Sequence, residues 1–222
     1  RRGISHISEK KSVEIMDLPG TYSLTPESMD EEIVAQQILH WMHGEDKPQA
    51  IISVVDAGNL SRNLYLTSQL QDLDIPIIIA LNMMDRIRSR KQNIDPEKLR
   101  KLLGVVSVIP MSAREKWGIT QLKEAIADLH NKTKTSLGIK LRIPDEINYK
   151  LEPIKEFFQK QCGYSQNLAL AQSLRAISQK SAVNLYQEQN LISKEKITKL
   201  HKLRDHASSA IDKLGMNHNI LE

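Results

Sequence analysis

Asp17-Leu18-Pro19-Gly20, lying directly after the alternating run Ser12-Val13-Glu14-Ile15-Met16, decides the fold. An aspartate and a glycine three residues apart at the end of a strand form a D-x-x-G element. Two further short elements follow in order, Asn82-Met83-Met84-Asp85 and Ser112-Ala113-Arg114. Each stands at the end of an apolar run. Ala50 to Val55 and Ile75 to Leu81 are continuous aliphatic stretches, the mark of strands buried on both faces, and Val105 to Pro110 makes a fourth strand.

Between the strands the spacing turns helical. Asp30 is placed to cap a helix whose Ile33, Val34, Ile38 and Trp41 share a face, and Asn59 to cap one carrying Leu60, Leu64, Leu70 and Leu73. Asp95-Pro96-Glu97 opens a third helix, closed by Gly104, and Thr120 begins a fourth that runs through Leu122, Ile126 and Leu129. This alternation predicts an α/β domain over residues 1–131 with a doubly wound, mostly parallel sheet. In such sheets ligands bind beyond the carboxyl ends of the strands, where all three short elements fall. Residues 132–144, rich in Lys, Thr and Ser, lose the periodicity and read as a linker. Residues 145–222 predict a small all-α domain with helices over 145–161, 165–180 and 193–214. Ser193 is expected to cap the last of these and Gly215 to stop it; 181–190 is ambiguous, and Pro153 should bend or restart the first.

Composition narrows the function classes. At 222 residues, with 40% hydrophobic and 26% charged side chains, the chain suits a globular main domain plus a smaller one. The single cysteine, Cys162, excludes an internal disulfide framework and fits a reducing compartment. The strongest apolar run, Ile75 to Met84, carries Pro76 and Asn82 and is far short of the roughly 20 residues that span a bilayer. No signal peptide is read, and a start on Arg1 reads as mid-protein. A net charge of +4 and only 4% aromatic residues offer neither the basic field nor the stacking platforms of a nucleic-acid binder.

The three short elements have a joint chemistry. The Asp17 carboxylate can hold a Mg²⁺-bound water, and the Gly20 amide, bare of a side chain, can approach a γ-phosphate across the Leu18-Pro19 turn. An ionised Asp85 can accept two hydrogen bonds from the N1–H and 2-amino group of guanine, whereas adenine presents an acceptor at N1 and no amino group at C2. A carboxylate left unpaired by the wrong base is what rejects ATP. Asn82 would brace neighbouring loops. Met83 stands where small GTPases usually carry Lys, so an apolar chain would cover the base, with Met84 beside it. At Ser112-Ala113-Arg114 small side chains let a backbone amide reach guanine O6. Singly, each element reads equally well as a turn; their order and spacing together predict a P-loop GTPase-like fold that binds guanine nucleotide. The glycine-rich loop G-x-x-x-x-G-K-[ST], which should precede the series and grip the phosphates, occurs nowhere in the 222 residues.

Longer stretches carry a resemblance. Asp17-Leu18-Pro19-Gly20-Thr21-Tyr22-Ser23-Leu24, Val55-Asp56-Ala57 with Asn59-Leu60 and Arg62-Asn63-Leu64-Tyr65-Leu66-Thr67, and Leu81-Asn82-Met83-Met84-Asp85 resemble the cytosolic G domain of the bacterial ferrous iron transport protein B family, within the TrmE-Era-EngA-like class of small GTPases. The likeness spans most of residues 1–130. Residues 139–222 resemble, less specifically, the helical domain that follows in that family and favours GDP retention. The resemblance implies GTP and GDP as ligands with Mg²⁺, joined by K⁺ in some relatives, and slow GTP hydrolysis coupled to Fe²⁺ uptake. It implies as partner a transmembrane permease domain of the same polypeptide, at the cytoplasmic face of the bacterial inner membrane, with a homo-oligomer left open. Thr21 stands where Ras-like proteins hold a catalytic Gln, and threonine has no amide to orient water, so weak turnover follows. The phosphate-loop residues and the Thr of the first switch would precede Arg1. In this fold the strand before the phosphate loop lies between the strand ending at Asp17 and the one ending at Asp56, so without it both lose ladder partners, and an upstream stretch is expected in the physical protein.

Two other functions stay open, a non-catalytic G-like interaction module and a soluble ribosome-associated GTPase. His40 with His43, and His201 with His206, lack the carboxylate or thiolate company of a transition-metal site and read as helix residues. Lys194, Lys196, Lys199, Lys202 and Arg204 form a basic helix face, most simply a solvated one.

Overall fold

A computed structural model describes residues 1–8, 11–24, 29–44, 46–130, 143–189 and 191–214. The chain divides into two compact units, one of residues 1–34 and 48–140, the other of residues 35–47 and 141–222.

In the first unit, β1 (Arg2–Ser8) and β2 (Lys11–Met16) pair antiparallel, with Arg2 opposite Met16. A second sheet is parallel, in the order β3 (Ile51–Asp56), β4 (Ile77–Asn82), β5 (Ser107–Pro110). The central strand is the aliphatic run that the sequence marks as doubly buried. From Ile77 to Leu81 its residues are 0–1% exposed, and each buried Ile or Leu contributes about 1.5–3 kcal/mol. Helices α1 (Met29–Met42), α2 (Leu60–Gln71), α3 (Met84–Ser89), α4 (Pro96–Leu103) and α5 (Ile119–Ala127) connect and cover the strands. One face of β4 and β5 packs on α5 through Ile78, Val106, Ala125, Leu122 and Ile126. α2 is fixed to β3 by a buried Ser53–Thr67 hydroxyl pair, 2.8 Å apart.

Local signals held where they are self-contained. The Asp95 carboxylate accepts from the Glu97 and Lys98 amides at 3.0 Å, Pro96 fills the first position, and Gly104 closes α4 at φ +64°. Asn59 occupies the N-cap position of α2 but its side chain makes no capping bond, and the Asn63 side chain donates to the Asn59 carbonyl at 2.9 Å. Asp30 lies inside the first turn of α1 and not ahead of it. α5 starts at Ile119 with Gly118 as its N-cap, one residue before the expected start. β1 and α3 were not expected: β1 mixes polar and apolar residues with Ile4 76% exposed, and α3 has only six residues.

The parallel sheet is open on one side. β3 pairs only with β4, and β2 only with β1, among the described residues. Val54, in a run that reads as doubly buried, is 64% exposed. These are the two strands that the sequence expects to flank a missing neighbour.

The second unit is helical: α6 (Asp145–Cys162), α7 (Gln166–Ser178), α8 (Lys180–Glu188) and α9 (Lys194–Asp212). The ambiguous stretch is therefore helix. Pro153 neither ends nor restarts α6, which runs through it to Gly163 at φ +70°. Ser165 caps α7 by accepting from the Leu168 amide at 3.2 Å, whereas the Ser193 side chain makes no such bond. Gly215 and residues 132–142 of the expected linker lie outside the described residues. Residues 35–47, which the sequence assigns to the first domain, belong here, because their apolar side chains find their burial in this unit. Ile38 and Trp41 are buried, and the His43 ring meets Tyr164 and Tyr186 edge-on at 5.6 and 6.1 Å. Burial pushes the Cys162 thiol, usually near 9.0, up to about 11, which makes it an inert packing group. No helix of the described residues is long and apolar enough to cross a membrane.

Candidate functional site

Because β3, β4 and β5 are parallel, their carboxyl ends share one edge of the sheet, with Asp56 opposite Asn82. Three bonds stitch that edge. The Ala57 amide donates to the Asn82 carbonyl at 3.0 Å, the Met111 amide to Leu81 at 2.8 Å, and the Met84 amide to the Met111 carbonyl at 3.2 Å. Asn82 also works through its side chain, its Oδ1 accepting from the Ala113 amide at 3.0 Å. The N-x-x-D element and the Ser112-Ala113 loop, 31 residues apart in sequence, thus meet.

Beyond Asn82 the chain turns sharply. Met83 sits at φ +62° and starts α3, burying Met84 and placing Asp85 in the first turn. The Asp85 carboxylate is half-buried and has no hydrogen-bond or ion-pair partner among the described residues. An acidic residue suits the first turn, where backbone amides are unsatisfied. Across from it Ser112 is fully buried, its Oγ accepting from the Glu115 amide at 3.2 Å, while Ala113 and Arg114 are exposed. Ser112 and Trp117 exchange both backbone hydrogen bonds at 3.2 Å, closing a tight loop.

The D-x-x-G element leaves β2. Asp17 is held by its backbone to Arg1, its amide donating at 2.7 Å, and its carboxylate is exposed. Leu18 and Pro19 are half-buried. Gly20 is exposed, and a Cβ there would meet nothing within 4 Å. Thr21 is engaged locally, its hydroxyl donating to the Ser23 carbonyl at 2.6 Å and lying 3.2 Å from Glu31. The following residues run along α2: Tyr22 lies under the Arg62 guanidinium, 3.6 Å from the ring centre, and the Leu24 amide donates to Gln69 at 2.8 Å. Arg62 is in the first turn of α2, the helix that leaves the Asp56 end of β3, so Tyr22 lies towards the edge that carries Asn82, whereas Leu24 reaches the last turn of that helix.

Sequence reasoning gave Arg62 only a place in a family-like stretch and passed over Gln69, Arg88 and Trp117. Of these three only Trp117 carried a signal, as a lone aromatic in a charged loop.

A family model described as ferrous iron transport protein B matches residues 2–126. The chain belongs to this family. The Fe(2+) transporter FeoB of Legionella pneumophila (strain Paris) is 44% identical over 126 residues, 55% of this chain and 16% of its own length. That of Salmonella typhimurium (strain LT2) is 45% identical over 119 residues, 54% of this chain and 15% of its length. The chain thus spans about a sixth of the curated FeoB relatives it matches. Among solved structures, the cytosolic domain of L. pneumophila FeoB superposes with a TM-score of 0.67 at 34% identity, covering 91% of this chain and 80% of that one. The S. thermophilus FeoB N-terminal domain bound to GDP·AlF₄⁻ and K⁺ superposes with a TM-score of 0.69 at 25% identity, covering 96% and 77%. The parallel sheet and the helical unit are therefore those of the FeoB cytosolic region, a P-loop GTPase-like fold followed by helices.

Proposed function

We propose that this chain is the GTP-binding and GTP-hydrolysing regulatory part of a ferrous iron transporter, reading guanine with Asp85 and the Ser112-Ala113-Arg114 loop and the phosphates with Asp17 and Gly20. The observation that carries the reading is the Asn82–Ala113 hydrogen bond, which sets the two base-side elements together beside an Asp85 carboxylate without a partner among the described residues. A half-buried, unpaired carboxylate is what the N1–H and 2-amino group of guanine would satisfy. Guanine O6 would join or replace Asn82 as acceptor for the Ala113 amide.

At the other end, none of the described residues would meet a Cβ at position 20, which leaves room for a close-lying phosphate. The exposed Asp17 carboxylate fits a water ligand of Mg²⁺, which when bound would neutralise phosphate charge. The S. thermophilus relative bound to GDP·AlF₄⁻ and K⁺ supports a guanine nucleotide and K⁺ as ligands of this fold. Thr21 has its hydroxyl occupied and carries no amide, which favours slow intrinsic hydrolysis. The open edges of β2 and β3 support an upstream strand carrying the phosphate loop. Iron movement, the membrane-spanning permease and the place at the cytoplasmic face of the inner membrane belong, on this reading, to the longer polypeptide, and the helical unit serves GDP retention.

Calorimetric titration of the complete polypeptide tests this. GDP should bind at least about a hundredfold more tightly than ADP, since the mismatched base leaves buried polar groups unpaired. Equal affinity, or no GDP binding, would overturn the reading and favour a G-like interaction module.

A further inference from the structure

Two ties already join the β4–α3 junction to the segment that follows β5, the Asn82–Ala113 and Met84–Met111 hydrogen bonds. A third lies at the far end of α3, where the Arg88 guanidinium sits 4.1 Å above the centre of the Trp117 indole. We propose that Arg88 and Trp117 form a positioning pair that sets how long a guanine nucleotide stays bound. The proposal rests on the nucleotide reading above and deepens it.

The base-reading groups are split between two elements, the Asp85 acceptor on α3 and the Ala113 donor on the loop. Their separation must match one base, so any independent motion of the two elements weakens both bonds together. α3 is six residues long, too short to be stable by its own backbone bonds, and depends on outside ties. Arg88 lies three residues after Asp85, on the same side of that helix. Trp117 pairs back onto Ser112, the residue directly before Ala113. Force applied at the stack is therefore passed to the acceptor through one helical turn and to the donor through one backbone pair.

The loop's other end is closely packed. Gly118 takes φ +84° in a buried position where a Cβ would fall 2.5 Å from that of Met111. The backbone beside Trp117 is thus packed against Met111, and the guanidinium covers the face of its ring. An arginine serves better than a lysine because its planar group covers the indole face.

The test uses release of N-methylanthraniloyl-GDP from the complete polypeptide, followed by stopped flow. Arg88→Met and Trp117→Ala should each release it about two- to fivefold faster, the range an exposed cation–π contact supports, with the association rate unchanged. Trp117→Phe, which keeps an aromatic face, should stay near the parent rate, and the double variant should be no faster than either single one. Arg88 is exposed, so its variant stays informative even if Trp117→Ala fails to fold. Parent-like release from a folded Arg88→Met, or additive effects in the double variant, would overturn the pair while leaving the nucleotide site intact. A parent protein that takes up no labelled GDP would instead remove the nucleotide reading, and this proposal with it.

Discussion

Asp85 shows what one side chain decides. On the proposed reading it is the acceptor that distinguishes guanine from adenine, and none of the described residues claims it. Asp85→Asn replaces one acceptor oxygen with a donor. GDP affinity should fall about 10- to 100-fold, as expected for loss of hydrogen bonds to a charged group. Xanthosine diphosphate, which carries an oxygen in place of the 2-amino group, should gain. Competition calorimetry with the two nucleotides reads both changes, and an unchanged GDP affinity would remove Asp85 from the site. The residue could be proposed from the sequence because the two acceptor oxygens of a carboxylate are given by residue type alone. Its company could not: nothing in Asn82 or Ala113 taken alone says that the one accepts from the other at 3.0 Å.

At the scale of elements, the signals that could be read are those completed within a few residues. Asp95, Pro96 and Gly104 bound α4 because cap and stop act on adjacent backbone groups. The Ile75 to Leu81 run gave β4 because a doubly covered strand needs no polar face. β1 escaped notice because a shallowly buried hairpin strand has little periodicity to show, and α3 because a short helix is made by its tertiary ties. β3 and β4 have similar sequences yet different surroundings, one with an open edge and Val54 exposed, the other paired on both sides. Hydrogen exchange on the 222-residue chain should therefore be faster at residues 51–55 than at 77–82, since backbone groups without ladder partners are not protected. Equal protection would mean that the outer edge of β3 is covered.

The whole molecule is two units whose boundary does not follow the sequence. Residues 35–42 continue a helix that begins in the sheet unit, yet Trp41 belongs to the helical one and is buried. Trp41→Ala should cost about 3–5 kcal/mol, typical of an aromatic deleted from a core. The loss should fall on α6 to α9: their amide protection, followed by hydrogen exchange, should drop while that of β4 is retained. A uniform loss across both units would show that they unfold as one.

By itself the sequence determined the α/β class, the order of the main strands and helices, the family, and the residue types available to a guanine nucleotide. These follow from local backbone chemistry and from periodicity, which states that a face is buried. Only the tertiary structure decided what each face is buried against: the Asn82–Ala113 meeting, the Arg88–Trp117 stack, the allegiance of residues 35–47 and the open edges of β2 and β3. Such pairings depend on distances between segments far apart along the chain, and a hydrophobic pattern is the same whichever partner satisfies it.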